Sequence, residues 1–259
     1  MEAGQRRGRA GMSAALIAAQ MVERGDPERF AATMAAPAPL RPMLWPLYAV
    51  NLEIARAPWA SAEPMVAEMR LQWWVDALEA QAETGAEVPH ALGPALVPLR
   101  AQAGLLAGIA EARRWDCWRA PFDDEAALWA YLDATSGSLY WAAASAIGAD
   151  AADEASVRDF GAAAGLASYL RAIPALEERG RVPLPDGRPE AVRALAAEGL
   201  ARLHRARPAR VKPALLPGWQ ARHILTLAQQ DPARVAAGAL EPSELRKRLS
   251  LMLAAFGRI

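Results

Sequence analysis

The stretch LRPMLWPLYAVNLEIAR, residues 40–56, decides the fold because it has the pattern of a single long helix. Pro42 fits the first helical turn, where the missing backbone N–H costs nothing. Apolar side chains then follow at helical spacing, including Leu44, Leu47 and Ile54. Pro58 cannot continue a helix. The stretch therefore predicts a helix that begins near Pro42 and ends before Pro58.

Similar helix starts and stops occur on both sides of this stretch. Asp26-Pro27 is typical of an N-cap followed by proline, and Ser61 to Pro64 predicts a second such start. The segment Phe122 to Glu125 predicts a cap before a long helix, and the Pro- and Gly-rich segment Arg179 to Pro189 predicts a loop. Alternating apolar and polar runs suited to strands are absent. These patterns predict an all-α fold.

Two further helices stand out by their side chains. The one that begins at Pro64 carries apolar residues at helical spacing, namely Met65, Val66, Met69, Trp73 and Leu78. The segment from Val157 to Leu170 is rich in Ala and Gly, whose small side chains let helix backbones approach closely. A last helix is predicted from about Pro242 to Phe256.

Composition favours a single domain. The chain has 259 residues, of which 53% are hydrophobic, so it has enough apolar side chains for one large core. The helical pattern begins near Ser13, and we assign residues 13–259 to one domain. Residues 1–12 are basic, and we expect a disordered or non-native lead, with Met12 as an alternative start.

Charge and cysteine content argue against a nucleic-acid-binding protein and against a disulfide-stabilised one. Lysine and arginine balance aspartate and glutamate at 29 each, so the basic excess typical of nucleic-acid binding is missing. The only cysteine, Cys117, allows no disulfide within the chain and is expected to be buried. No apolar run reaches the roughly 18–20 residues that span a bilayer. We expect a cytoplasmic protein, with the inner face of the membrane as an alternative location.

Three stretches together resemble the squalene/phytoene synthase family. They are LRPMLWPLYAVNLEIAR at 40–56, EMRLQWWVDAL at 68–78 and LASYLRAIPALEERGRVPLP at 166–185. The resemblance extends from about Ala32 to Arg205 and implies an isoprenoid-synthase-like helical bundle around a central cavity. In catalytic members, two Asp-rich motifs face each other across that cavity and hold Mg²⁺, which neutralises the departing diphosphate.

The acidic positions that the resemblance implies are occupied by other residues. Counting from Tyr48 in the first stretch and from Pro185 in the third, these positions hold Ala55, Arg56, Trp59, Ala172 and Leu176. The nearest acids are Glu53, Glu177 and Glu178. A shift of register does not easily rescue them, because a helix turns about 100° per residue. We therefore expect no metal site and no cofactor, with Mg²⁺ bound only if the chain is a transferase.

The pattern is similar to one branch of the family, which includes the mitochondrial respiratory complex I assembly factor and its bacterial relatives. This similarity implies a non-catalytic assembly factor or lipid-binding helper, with a respiratory-complex subunit or an isoprenoid lipid as partner. Two alternatives remain: a head-to-head prenyl transferase that condenses two prenyl diphosphates, and a passive isoprenoid-binding protein. The oligomeric state is left open.

Nine polar residues are candidates for lining the cavity or binding a ligand. They are Tyr48, Asn51, Gln72, Asp76, Tyr140, Ser168, Arg171, Arg179 and Arg181. Gln72 and Asp76 are one helical turn apart and share a face, either in the cavity or at the solvated edge of a packed tryptophan pair. The three arginines match arginine positions of catalytic relatives. They bind phosphate, or they are structural and pair with Glu177, Glu178 or carbonyl groups.

Two further charged segments occur, an acidic run at 123–125 and a basic segment at 245–259. The acidic run Asp123-Asp124-Glu125 resembles a metal motif, but it lies at a helix start, where we expect it to cap. The C-terminal segment Leu245 to Ile259 combines basic residues with an apolar face, which is typical of membrane-surface docking. The alternative is a helix packed on the domain with its basic face in water.

Overall fold

Helices make up the regular structure of the chain. The computed structural model describes residues 2–118, 120–206 and 211–256, with side chains from residue 14 onward. Throughout those ranges the chain is helical and without strands, which confirms the all-α prediction. The helices are α1 (Glu2–Gly25), α2 (Pro27–Ala35), α3 (Arg41–Arg56), α4 (Pro64–Thr84), α5 (Gly93–Leu96), α6 (Arg100–Ala112), α7 (Glu125–Leu132), α8 (Ser138–Ala146), α9 (Glu154–Glu178), α10 (Pro189–Arg205), α11 (Lys212–Leu215), α12 (Ala221–Gln230), α13 (Ala233–Ala236) and α14 (Glu244–Ala255). None of these helices, as far as their residues are described, combines the length and apolarity needed to cross a membrane.

Capping side chains fix several helix starts where the sequence predicts them. The Asp26 carboxylate accepts a hydrogen bond from the backbone N–H of Arg29 at 2.9 Å, and Pro27 is the first residue of α2. Asp124 accepts from the backbone N–H of Ala127 at 2.7 Å at the start of α7. The acidic run at 123–125 therefore caps a helix, as predicted.

The N-terminal helix begins earlier than its side-chain pattern predicts. Helix α1 runs from Glu2, whereas the apolar periodicity begins near Ser13. Met1 lies outside the described residues, as do the side chains of residues 2–13. A division of the chain at residue 12 therefore stays a prediction.

Helices α3 and α9 each bury many side chains in the core. Helix α3 buries Leu44, Leu47 and Tyr48 almost completely. Helix α9 approaches its neighbours closely, because a Cβ at Gly161 would lie 2.8 Å from the Cβ of Tyr140 on α8. The Ala- and Gly-rich composition of this segment is thus explained by the close packing of α8 and α9.

Helices α7 and α8 form one continuous element, as the sequence predicts. They are joined by a π-helical turn, Asp133–Gly137, which inserts an extra residue into the helical ladder. Asp133 in that turn forms an ion pair with Arg158 of α9 at 2.7 Å. The turn is therefore fixed against α9 by charge.

Helix α4 buries a different face from the one its apolar pattern indicates. The side chains that it buries include Ala67, Leu71, Trp74, Val75 and Leu78. By contrast, Met65 and Met69 are 69% and 68% exposed, and Trp73 is also exposed. The helix is apolar on two faces, and packing against α6 decides which one is buried.

Candidate functional site

The two motif regions meet where α3 and α9 end. Trp59 follows α3 in the 3-10 turn Ala57–Trp59, and Arg179 directly follows α9. The guanidinium carbon of Arg179 lies 4.6 Å from the centroid of the Trp59 ring, which is cation–π geometry. A cation and an aromatic ring thus face each other across this end of the two helices.

None of the five positions at which the family resemblance implies an acid holds a carboxylate. The five positions, which are all at least partly exposed, hold Ala55, Arg56, Trp59, Ala172 and Leu176. Arg56 forms an ion pair with Glu53 of its own helix at 3.6 Å, and Glu177 and Glu178 are exposed. Across the described residues, no three His, Cys, Asp or Glu side chains converge as metal ligands would.

Arg181 is buried beside the contact between Arg179 and Trp59. Its guanidinium carbon lies 5.4 Å from the Trp59 ring centroid and 4.9 Å from that of Trp115. Its Nη2 donates a hydrogen bond to the Asp116 carbonyl oxygen. A planar guanidinium suits this position, because it stacks on aromatic rings while it donates to the backbone.

A buried polar cluster that the sequence did not predict lies next to Arg181. The Asp116 carboxylate accepts hydrogen bonds from Arg113 at 3.0 Å and from the Tyr131 hydroxyl at 2.8 Å. Arg113 also donates to the Tyr131 oxygen at 2.8 Å. Burial raises the pKa of Tyr131 well above its usual value, so the phenol remains neutral. The only sequence signal is an Arg and an Asp three residues apart in an aromatic segment.

The acidic partners of Arg171 are not Glu177 and Glu178, which follow it in the sequence. Its guanidinium lies 2.9 Å from a Glu28 carboxylate oxygen on α2 and 2.6 Å from Glu241. Lys247 of α14 also contacts Glu28, at 2.9 Å. Burial raises the pKa of Glu28, but hydrogen bonds from Arg171 and Lys247 outweigh it and hold that pKa at about 2. The predicted pairing of arginine with Glu177 or Glu178 is therefore wrong for Arg171.

Tyr48 and Tyr140 lie deep in the core near a mostly buried cation. The guanidinium carbon of Arg29 lies 5.1 Å from the centroid of the Tyr48 ring. Burial raises the pKa of Tyr140 to about 12 and that of Tyr48 further, so both phenols are neutral. The Tyr48 hydroxyl is buried and has no hydrogen-bond partner among the described atoms. Asn51, one turn beyond Tyr48, is only half-buried.

A small polar cavity lies between α2, α9 and α12. It encloses about 50 Å³ and is lined in part by Arg29, Ser168, Arg171 and Gln220. Arg29 Nη1 and Gln220 Oε1 are buried without described partners. A wider groove of about 730 Å³ begins at Ser168 and Arg171 and extends to Lys247 on α14. The enclosed part has room for only one or two water molecules.

Gln72 and Asp76 lie on the outer side of α4. Gln72 donates a hydrogen bond to Asp76 at 2.5 Å, as their spacing of one helical turn predicts, and Arg114 donates to the Gln72 carbonyl oxygen. Asp76 is exposed. The adjacent Trp73 and Trp74 rings meet edge to face at 4.9 Å. This arrangement matches the packed tryptophan pair with a solvated edge.

Comparison with known proteins identifies the family. Residues 22–188, more than half of the chain, match the squalene/phytoene synthase family. The chain belongs to this family. One solved structure with the same fold is a dehydrosqualene synthase in complex with ligand, with a TM-score of 0.73 and 11% identity over 96% of this chain and 97% of that chain. Another is squalene synthase HpnC from Alicyclobacillus acidocaldarius, with a TM-score of 0.60 and 16% identity over 95% of this chain and 93% of that chain. No curated protein sequence matches the chain significantly.

In this squalene/phytoene synthase family member, most of the predicted site residues fall into three groups. The fold itself is the isoprenoid synthase fold, as the resemblance implies. The first group surrounds Arg29 and contains Tyr48, Tyr140, Ser168 and Arg171; the second lies at Trp59 and contains Arg179 and Arg181; the third is Gln72 with Asp76. Their roles in binding remain predictions.

Proposed function

We propose that this chain is a non-catalytic member of the squalene/phytoene synthase family that acts as an assembly factor or lipid-binding helper. The partner that we propose, from the resemblance to the complex I assembly branch, is a subunit of a respiratory complex. The observation that carries the proposal is the contact between Trp59 and Arg179 at 4.6 Å. Trp59 stands there at a position where the resemblance implies an acid, and its ring packs against the retained Arg179 where metal-dependent chemistry would need a carboxylate.

The chemistry of prenyl transfer explains why this contact matters. An allylic diphosphate ionises only if the charge of the departing group is stabilised, and metal-dependent relatives use Mg²⁺ bound by carboxylates. Arg171 lines the groove of about 730 Å³, and Glu28 and Glu241 already pair with it. Arg181 is occupied by two aromatic rings and a carbonyl oxygen. These contacts support a structural use of the retained arginines.

The size of the small cavity beside Ser168 supports only the non-catalytic part of this proposal, because lipid binding would need the wider groove of about 730 Å³ that adjoins it. Pockets that bury a drug-sized ligand enclose about 300–1,000 Å³. The cavity beside Ser168 encloses about 50 Å³, so an isoprenoid chain does not fit there without rearrangement of α2, α9 or α12.

Release of pyrophosphate tests the absence of catalysis. Purified protein is incubated with Mg²⁺ and farnesyl or geranylgeranyl diphosphate, beside a catalytic family enzyme as positive control. We expect no release above the protein-free blank. Release that Arg171→Met abolishes would overturn the proposal and favour the head-to-head prenyl transferase.

The assembly role needs a separate test in cells. Deletion of the gene is expected to lower the amount of assembled complex I and its NADH-dependent activity, and the wild-type gene is expected to restore both. Normal complex I in the deletion strain would refute the complex I assignment while leaving the absence of catalysis intact.

Passive isoprenoid binding is a second candidate, favoured by an open apolar groove beside α4. The groove encloses about 440 Å³, with Val66, Met69 and Trp73 among its lining residues and Arg56 and Arg70 also beside it. This volume is within the range of lipid-sized ligands, and the arginines suit an anionic head group. Mass spectrometry of lipid extracted from wild-type protein and from Met69→Glu tests this candidate. Equal recovery of lipid from both proteins, or recovery from neither, would exclude the groove.

A further inference from the structure

Helix α14 presents an apolar stripe to solvent. The stripe consists of five large side chains that are between 48% and 85% exposed, namely Leu245, Leu249, Met252, Leu253 and Phe256. Scattered single exposed hydrophobics are ordinary, whereas a continuous stripe along one helix face indicates an interaction surface. Residues 257–259 of the predicted C-terminal segment lie outside the described residues.

The stripe has basic residues along both of its edges. At about 100° per residue, the five side chains span an arc of about 100° around the helix axis. Arg246 falls just beyond one edge of this arc and Arg248 just beyond the other. Such an arrangement is typical of helices that lie in a membrane interface. The basic residues there are placed to contact head groups while the apolar side chains enter the acyl region.

The opposite face of α14 is fixed to the rest of the fold. Lys247 lies 2.9 Å from a Glu28 oxygen and 2.5 Å from Glu241. Ser250 accepts a hydrogen bond from the Trp219 indole N–H at 3.1 Å. These contacts hold the helix in one rotation about its axis, so the stripe faces away from the domain.

We propose that α14 docks on an anionic lipid bilayer, parallel to its surface, with the apolar stripe inserted below the head groups. Arg246 and Arg248 are placed to contact lipid phosphates. Arg246 has His223 as its described neighbour, with 3.1 Å between Nη1 and Nδ1, and not a carboxylate. Glu244, the acid of this helix, forms an ion pair with Lys247 at 3.1 Å. The outward face is therefore apolar and cationic.

Charge favours a bilayer over a second copy of the chain. In a symmetric dimer through the stripe, the same patch lies on both subunits, so the arginines along its edges would meet arginines. Like charges across an interface are unfavourable, whereas an anionic membrane surface attracts both of them.

Sedimentation with lipid vesicles tests the proposal. Full-length protein is mixed with phosphatidylcholine vesicles that contain or lack phosphatidylserine. We expect binding only to the anionic vesicles, and weaker binding as added salt shortens the screening length from about 10 Å to about 3 Å. Arg246→Gln and Arg248→Gln should each reduce binding about fivefold. Leu249→Glu combined with Met252→Glu should reduce it at least about tenfold.

The controls place the same changes elsewhere on the surface. Leu16→Glu with Val97→Glu alters two apolar side chains, on α1 and after α5, that are 59% and 51% exposed. Arg234→Gln removes an exposed arginine from α13. Retained binding by both controls supports the docking of α14, provided that circular dichroism shows all variants folded.

Three results would overturn the proposal. They are no binding of wild-type protein to anionic vesicles, equal loss of binding in the Leu16→Glu, Val97→Glu control, and a wild-type dimer that the α14 variant converts to a monomer. The inference does not depend on the proposed function, because an active transferase could dock in the same way. Pyrophosphate release and vesicle binding therefore fail separately.

Discussion

Replacement of Glu28 by Gln should destabilise the protein in a pH-dependent way. Glu28 on α2 joins Arg171 of α9 to Lys247 of α14, at 2.9 Å in each case. Glutamine keeps the size of the side chain but loses its charge. Because Glu241 still contacts both cations in the variant, we expect the loss of only part of the network energy.

The magnitude follows from the lowered pKa of Glu28. Burial alone raises that pKa, but the two cations hold it at about 2, against an ordinary value of 4.5. At 1.36 kcal/mol per pKa unit, this corresponds to about 3 kcal/mol. The Glu28 side chain is 30% exposed, and solvent screening reduces the expected contribution to about 1–2 kcal/mol.

The direction of the pKa shift of Glu28 determines how its contribution to stability depends on pH. Since the pKa of Glu28 is lower in the folded state, its contribution is complete above about pH 4.5 and is lost as the pH falls towards 2. Urea unfolding of wild type and Glu28→Gln from pH 7 to pH 3.5 measures this contribution of Glu28 to stability. We expect a stability difference that is constant above pH 5 and decreases below it.

Asp186→Asn is the matched control for this experiment. The pKa of Asp186 is also about 2, because of hydrogen bonds from Arg188, but this ion pair lies at the surface, where Arg188 is 79% exposed. Its replacement should leave the free energy of unfolding unchanged. A Glu28→Gln difference that stays constant down to pH 3.5, or equals that of Asp186→Asn, would refute the reasoning.

Three further substitutions and one chemical modification test the packing of the core and the site. Arg181→Ala should cost about 2–4 kcal/mol in urea unfolding, because it removes buried contacts with Trp59 and a backbone carbonyl, and a cost under 1 kcal/mol would contradict the structural role. Gly161→Ala should destabilise by about 1–3 kcal/mol, since its Cβ would lie 2.8 Å from another Cβ; Gly104→Ala, with nothing within 4 Å, should stabilise by up to about 1 kcal/mol. Burial raises the pKa of Cys117 to about 11, so its reaction with a thiol reagent at pH 7.5 should be slow and should accelerate in denaturant.

Helix positions could be predicted from the sequence because their signals are local. The Asp26-Pro27 cap and the proline-bounded stretch at 40–56 depend on residues within a turn of each other. Gly85, whose φ of 77° is left-handed, likewise ends α4 through a local signal. Such signals do not require knowledge of what the helix packs against.

Tertiary partners could not be predicted in the same way. The carboxylate that neutralises Arg171 belongs to Glu28, 143 residues earlier in the chain, and not to neighbouring glutamates. The face of α4 was also ambiguous, because Met65 and Leu71 are both apolar and only packing against α6 buries one of them. Charge partners and buried faces are set by the assembled fold, which a single sequence does not display.

The Glu28 network has a consequence for synthesis of the chain. Glu28 leaves the ribosome well before Lys247, because it precedes that lysine by more than 200 residues. Until α14 is translated, α2 and α9 have only the Arg171 contact to join them through Glu28. A product that stops before Glu244 would lack both the lysine and the exposed stripe. Completion of the network therefore requires translation through Lys247, and chains that terminate before it should be more sensitive to proteolysis.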